Sequence, residues 1–236
     1  MQFSIIVPVY NEATLIRSFL QRLRGRAPEA EIIVADGGSS DGTPELAKDF
    51  CNQFVMSQPN RAVQMNVGAR AARGDVFWFL HADAEVPQNC LNEISRMLND
   101  PTTVGGFFRI RLPPDAVYRL TDSFAHYAGI LLRMRCGDHG IFCRRTAFVE
   151  VGGFPEVPLM EDVEFFRRLR LCGRVMHSDK RILVSPRRYE TIGRARLTFA
   201  YGLVATLYIL RVPLPILAQI YERSCCATRE GGISPA

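Results

Sequence analysis

Residues 76–83 read Val-Phe-Trp-Phe-Leu-His-Ala-Asp, in which an uninterrupted apolar run over 76–80 is followed by His81, Ala82 and the carboxylate of Asp83. Continuous apolar runs of this kind are typical of central strands in parallel sheets, where both faces of the strand are buried. Ligands of parallel α/β sheets bind at the carboxyl ends of the strands, and hard divalent cations prefer oxygen ligands. We therefore predict that Asp83 lies at the ligand-binding edge of a sheet.

The sequence on both sides of this run alternates between strand and helix patterns. Apolar, β-branched segments predict strands over 3–9, 31–35 and 54–56, with helices between them. Asn11 is predicted to cap the first helix, and Pro44 to open the second. This rhythm implies a mainly parallel sheet covered by helices on both faces. The remaining predicted elements are helices over 61–73, 88–98, 118–132 and 161–171 and strands over 76–80, 104–112 and 141–143.

Length and composition fit one globular α/β domain with a C-terminal helical appendage. The chain has 236 residues, of which 47% are hydrophobic. We assign residues 1–190 to the domain and residues 191–236 to amphipathic helices and a tail. The stretch 197–210 carries no charge, but it is shorter than the roughly 20 residues that span a bilayer. The appendage is therefore predicted to dock on the domain or to lie at a membrane surface.

The charge and the cysteine content indicate which kinds of binding partner and which cellular compartment to expect. The net charge is +5, and basic residues crowd the C-terminal third of the chain. Such a patch suits a diphosphate or an anionic membrane, whereas nucleic acid is not expected because aromatic residues are not interleaved with it. The seven cysteines lack CxxC spacing, which favours reduced thiols. Without a recognisable signal peptide, we predict a cytoplasmic protein, membrane-associated on the cytoplasmic face.

Acidic residues occur at the ends of two further predicted elements, as Asp83 does. Asp36 follows the second predicted strand, where its carboxylate could accept hydrogen bonds from a nucleobase or a ribose. An ordinary Asp-Gly-Gly turn is a compatible alternative for this residue. Glu161 and Asp162 open a predicted helix, a position where acids are favourable. Three separated acidic points in a parallel α/β pattern indicate a nucleotide-sugar and metal site.

Five segments follow one another in a recognisable order: residues 4–12 (SIIVPVYNE), 36–43 (DGGSSDGT), 81–83 (HAD), 152–154 (GGF) and 161–162 (ED). This order resembles that of the family 2 glycosyltransferases. The resemblance implies the GT-A fold, a single Rossmann-like, mainly parallel sheet flanked by helices. It also implies an inverting enzyme that moves a hexose from a nucleotide-diphospho-sugar, expected to be a UDP-sugar, to an acceptor hydroxyl with Mn²⁺ or Mg²⁺.

The resemblance carries roles onto individual residues. Asp162 is the expected general base. The family usually has Asp-x-Asp where this chain has His-Ala-Asp, so metal ligation is carried onto Asp83 only. His81 could bond ribose or phosphate, could ligate a softer metal than Mg²⁺, or could be an ordinary histidine at the edge of the core. The expected nucleotide-sugar-binding residues are Pro8, Tyr10, Glu12, Asp36, Arg61, Asn66, His81, Ala82, Asp83 and Glu161.

Other functions fit the sequence less well. A Rossmann oxidoreductase needs Gly-x-Gly-x-x-Gly after the first strand, which the chain lacks. A catalytically inactive nucleotide-sugar-binding module stays open, because His81 replaces an Asp. The apolar, basic-edged C-terminal helices suggest a lipid-linked acceptor or a peripheral membrane contact, although a sugar acceptor, or a homodimer contact through the same helices, is also compatible. A second positive contact to the leaving group is expected from Arg187, Arg188 or His139.

Overall fold

The computed structural model describes residues 1–112 and 136–226, and its strands form one seven-stranded mixed sheet. The strands are β1 Phe3–Val9, β2 Glu31–Asp36, β3 Gln53–Met56, β4 Val76–Phe79, β5 Thr103–Arg111, β6 Phe142–Arg144 and β7 Arg174–Leu183. Their order across the sheet is β3-β2-β1-β4-β6-β5-β7. The first four strands are parallel to one another, β6 is antiparallel to both of its neighbours, and β5 is parallel to β7.

Helices connect and cover these strands. They are α1 Ile16–Arg26, α2 Thr43–Lys48, α3 Arg61–Ala71, α4 Cys90–Met97, α5 Arg145–Glu150, α6 Glu161–Cys172, α7 Arg187–Ile192, α8 Arg194–Ile209 and α9 Leu214–Cys226, with a 3-10 turn at Gly137–His139. Within the described residues, no helix is both long enough and apolar enough to cross a membrane.

The alternation of side chains along the central strands divides the core into two layers. Ile5 and Trp78 point into a layer closed by α1 and α4. Ile6 and Phe79 point into the opposite layer, which α3, α5 and α6 close. The predicted mainly parallel sheet with helices on both faces is therefore confirmed, and β4 is buried along its whole length.

Several local predictions need correction. Asn11 does not cap α1, which begins at Ile16. It adopts a left-handed backbone (φ 53°), and its side-chain oxygen accepts a hydrogen bond from the Ser40 amide instead. The long strand β7 was not predicted, because its exposed and charged residues hide a strand pattern. The predicted helix over 118–132 lies outside the described residues. α2 begins at Thr43, so Pro44 is its second residue, one position later than predicted.

Gly68 brings α3 unusually close to β1. A Cβ atom at this position would lie 2.6 Å from Cγ2 of Ile6, a buried side chain without room to move. This close approach sets the distance of α3 from the sheet, and α3 carries residues of the site described below.

We therefore expect Gly68→Ala to lower the free energy of unfolding by about 1–2 kcal/mol, because overpacking outweighs the gain in helix propensity. Gly202, in α8, is the matched control, since a Cβ atom there would meet nothing within 4 Å. Gly202→Ala should raise stability by about 0.5–1 kcal/mol. Urea denaturation of both variants checks the signs, and equal effects would contradict the close packing of α3 on β1.

Candidate active site

Asp36 lies at the carboxyl end of β2 and is completely buried. Its Oδ2 atom accepts hydrogen bonds from the Gly38 and Ser39 amides, both at 2.8 Å. Its Oδ1 atom is also buried, but no hydrogen-bond partner for it exists in the described part of the chain. One oxygen thus holds the predicted turn, and the other is an acceptor without a partner.

Gln64 holds the neighbouring strand ends together. Its side-chain nitrogen donates to the Val9 carbonyl at 2.6 Å and to the Ala35 carbonyl at 3.0 Å, and it is buried. The structure shows that it ties α3 to the ends of β1 and β2, three positions after Arg61.

Arg61 joins α3 to α6 across 100 residues of sequence. Its Nε atom donates to Oε1 of Glu161, and its Nη2 atom lies 3.9 Å from Oδ2 of Asp162. The two carboxylates are 5% and 6% exposed as residues. Burial alone would lower the pKa of Arg61, but Glu161 and Asp162 together raise it well above its usual range. The arginine therefore stays charged and pairs with two buried acids, offsetting half of their combined charge.

Asp162 is held by backbone amides. Its Oδ2 atom accepts from the Gly137 amide at 2.5 Å and its Oδ1 atom from the Val163 amide at 2.7 Å. Burial and the neighbouring Glu161 nonetheless raise the pKa of Asp162 to about 6. The residue before this pair, Met160, has a left-handed backbone with φ 66°, and strained backbone of this kind clusters at functional sites. Asp162 is thus a fixed carboxylate that is more basic than an ordinary aspartate.

Gly137 places Asp162 beside the turn that follows β4. A Cβ atom on Gly137 would lie 2.7 Å from Nε2 of His81 and 3.4 Å from Oδ2 of Asp162. His81 Nε2 also lies 3.7 Å from Oδ1 of Asp138. Burial and the charge of Arg61 lower the pKa of His81. Burial raises the pKa of the half-buried Asp83, which the charge of His81 partly offsets. The sequence did not single out Asp138.

Glu12, which follows β1, forms an ion pair with an arginine of α7. Both of its carboxylate oxygens accept from Arg187 of α7, at 2.8 and 3.0 Å. The hydrogen bond to Glu12 raises the pKa of Arg187, although burial opposes it, and the charge of Asp83 contributes in the same direction. Arg187 therefore spans the nucleotide-binding positions Glu12 and Asp83 that the resemblance implies.

The remaining residues predicted for the site differ in their contacts and burial. The amide of Asn66 bonds the Phe154 backbone in both directions, at 2.8 and 2.9 Å, which favours a structural role. His139 is buried and its Nδ1 donates to the Phe108 carbonyl, so it too has a structural partner. Pro8 and His81 line one small cavity. Tyr10 is half-buried after β1, and Ala82 is buried. The nucleotide roles of these residues stay predictions.

The donor atoms at this edge suit a metal that arrives with phosphate. No three His, Cys, Asp or Glu side chains among residues 1–112 and 136–226 are grouped closely enough to hold an ion by themselves. Mg²⁺ sites, however, commonly use one or two carboxylates together with substrate phosphates. Asp83 fits the protein's part of such a site, with His81 and Asp138 beside it.

A larger cavity than the one lined by Pro8 and His81 lies elsewhere in the described structure. It has a volume of about 290 Å³ between α1 and residues 84–86, lined by Arg22, Arg26 and Glu85 among others. The chemistry favours the carboxyl edge of the sheet instead, because the partnerless Asp36 oxygen and the buried Asp162 lie there.

The Arg61 contacts lead to a stability prediction. Arg61→Met removes the positive charge but keeps the length of the side chain, and it should cost roughly 2–3 kcal/mol, since two carboxylates lose their buried partner. The cost should shrink below about pH 6, where Asp162 takes up a proton. The sign follows because a raised pKa in the folded state makes the protonated form favour folding.

Arg167→Met provides the matched control. Arg167 pairs with Glu164 on the surface of the same helix at 3.1 Å, and exposed pairs contribute under about 1 kcal/mol. Urea denaturation at two pH values measures both variants. Equal losses, or a loss at Arg61 that does not depend on pH, would contradict the buried pair.

Comparisons with known proteins bear on the family of this chain. Residues 4–154 match the family model described as glycosyl transferase family 2. The chain is 25% identical over 224 residues to the succinoglycan biosynthesis protein ExoA of Rhizobium meliloti, covering 84% of this chain and 67% of ExoA. It is 27% identical over 168 residues to the glycosyltransferase AglE of Haloferax volcanii, covering 64% and 55%.

The fold has a solved counterpart. The mannosyltransferase PcManGT from Pyrobaculum calidifontis, in complex with GDP-Man and Mn²⁺, superimposes with a TM-score of 0.69 at 21% identity, covering 98% of this chain and 76% of that chain. The chain thus has the expected GT-A fold. The matched part of the chain covers between 23% and 67% of the length of its curated relatives. The family model covers more than half of the chain, and the protein therefore belongs to glycosyl transferase family 2.

Proposed function

We propose that the protein is an inverting hexosyltransferase that moves a sugar from a nucleotide-diphospho-sugar to an acceptor hydroxyl. One observation carries the proposal, and it concerns Gly137. This glycine lies against His81, which belongs to the same turn as Asp83. The backbone amide of Gly137 donates to the carboxylate of Asp162. A donor-binding turn and a basic carboxylate are therefore separated by one glycine. An acceptor hydroxyl beside Asp162 would then be close to a sugar whose diphosphate lies at Asp83.

Asp36 and Asp83 supply the donor half of the proposed site. The free Oδ1 atom of Asp36 suits an N–H of a nucleobase or a ribose hydroxyl, which would satisfy its missing hydrogen bond. Asp83 is the proposed protein ligand of Mn²⁺ or Mg²⁺, and such an ion stabilises the negative charge of a leaving diphosphate. A UDP-sugar is the expected donor. PcManGT is in complex with GDP-Man, so guanosine donors belong in the same test.

Asp162 supplies the acceptor half of the proposed site. As general base it takes the proton of the acceptor hydroxyl while that oxygen attacks the anomeric carbon from the face opposite the leaving group. A pKa of about 6 leaves Asp162 mostly ionised near neutral pH and more basic than an ordinary aspartate. The Gly137 and Val163 amides fix the direction in which it accepts the proton.

Arg187 is the proposed second positive contact for the leaving group. Its guanidinium pairs with Glu12, and the charge of Asp83 also acts on it. A diphosphate at Asp83 would offer it oxygen atoms that carry more negative charge than one carboxylate, and arginine binds phosphate in a bidentate manner. Glu12 would then be free to accept hydrogen bonds from the nucleoside.

We expect Asp162→Asn to lower kcat by about 10²–10⁴-fold, because the amide cannot accept the proton. Binding of UDP or GDP, measured by thermal shift with Mn²⁺, should persist. In the wild-type enzyme, kcat/KM should rise with pH up to about 6 and level off above it, since Asp162 must be ionised. Sugar transfer from UDP- and GDP-hexoses in the presence of Mn²⁺ is the assay.

Asp179→Asn is the matched control, because the Asp179 side chain is 91% exposed on β7 and is not among the site residues described above. It should leave the rate unchanged. An Asp162→Asn variant with full activity would refute the assigned base. A wild-type protein that binds nucleotide but transfers no sugar would instead support the inactive binding module.

A further inference from the structure

The C-terminal helices form an antiparallel hairpin. Arg196, near the start of α8, donates from Nε to the carbonyl of Ser224, near the end of α9, at 2.6 Å. The rings of Tyr201 and Tyr221 stack between the two helices, with 6.0 Å between centroids. The connection between α8 and α9 therefore lies at one end of the hairpin.

One side of this hairpin faces the protein. Leu197, Ala200 and Val204 of α8 and Leu217 of α9 are buried. Tyr208 donates to Glu164 of α6, which anchors the far end of α8 to the domain. The hairpin is thus docked through a defined side.

The other side leaves large apolar residues in solvent. Phe199 is 70% exposed and Leu210 is 69% exposed. These two positions are 11 residues apart, close to three helical turns, so they share one side. Next to the connection, Ile209 and Ile216 are also exposed, at 45% and 47%. We call Ile209, Leu210 and Ile216 the hairpin tip.

The connection at the tip carries positive charge, whereas the other arginines of residues 194–226 (Arg194, Arg196 and Arg223) lie toward the opposite end of the hairpin. Arg211 is exposed and lies within the connection, directly after Leu210. Apolar residues with adjacent arginines are typical of surfaces that bind at the boundary between lipid headgroups and acyl chains. A second copy of the chain is a poorer occupant, because a two-fold contact through the tip would bring the two Arg211 side chains together.

We propose that the hairpin tip docks on an anionic lipid surface, with Leu210 and Ile216 entering the acyl boundary and Arg211 contacting headgroup phosphates. This inference concerns lipid binding and does not depend on the proposed reaction. Its consequence for that reaction is positional. Arg188, adjacent to Arg187 in α7, donates to Tyr221 of the hairpin, so docking would hold the carboxyl edge of the sheet near the membrane and within reach of a lipid-linked acceptor.

The test is co-sedimentation of the full chain with vesicles of phosphatidylcholine, with and without phosphatidylglycerol. We expect binding to the anionic vesicles that weakens as salt is added. Leu210→Asp and Ile216→Asp should each lower the partition coefficient by at least about tenfold, because each removes an apolar side chain that enters the acyl boundary on docking. Arg211→Glu should reduce binding to anionic vesicles specifically.

Leu171→Asp is the matched control, since Leu171 is 85% exposed on α6 and should leave binding unchanged. Circular dichroism and thermal unfolding confirm that each variant is folded. Wild-type protein that stays in the supernatant, or equal losses at Leu171 and Leu210, would overturn the proposal. A dimer in light scattering that Leu210→Asp dissociates, without vesicle binding, would overturn it in favour of a second copy.

Discussion

The ion pair between Arg61 and the adjacent acids Glu161 and Asp162 is the interaction on which the site depends. Two neighbouring carboxylates at the start of α6 are almost completely buried, and an unpaired buried charge is strongly destabilising. The amino end of a helix offers some compensation through its free amides. The guanidinium of Arg61 supplies the rest. Without it, Asp162 would have to be protonated or exposed, and neither state would serve as a general base near neutral pH.

The same pair organises the fold around the site. Arg61 begins α3, whose distance from β1 is set by Gly68 and whose Gln64 ties the ends of β1 and β2. Glu161 and Asp162 begin α6, which packs on the same face of the sheet. The first, parallel half of the sheet is thereby connected to the less regular second half. Asp36 and Asp162 belong to different halves, and α3 links their surroundings: Gln64 bonds the carbonyl of Ala35, next to Asp36, and Arg61 lies beside Asp162.

The central strands and the acidic positions could be predicted because their signals are local. The apolar run of β4 needs no distant partner to be recognised, and Asp36, Asp83 and Asp162 follow from their places at strand and helix ends. The pairing of Arg61 with Glu161 could not be predicted, since its partners are 100 residues apart. β7 was missed because eight of its ten residues are partly or fully exposed, in a mixed pattern that shows no apolar run. Asn11 looked like a helix cap, but its contact with the 39–40 loop was decided by tertiary packing.

The central claim is that Asp36, Asp83 and Asp162 serve one ligand. A crystal structure with a nucleoside diphosphate and Mn²⁺ tests it most directly. The account predicts a nucleobase or ribose donor within hydrogen-bonding distance of Oδ1 of Asp36, the ion on Asp83, and the free side of the diphosphate turned toward Asp162. A nucleotide bound in the cavity beside α1, with the Oδ1 atom of Asp36 still without a partner, would contradict the account.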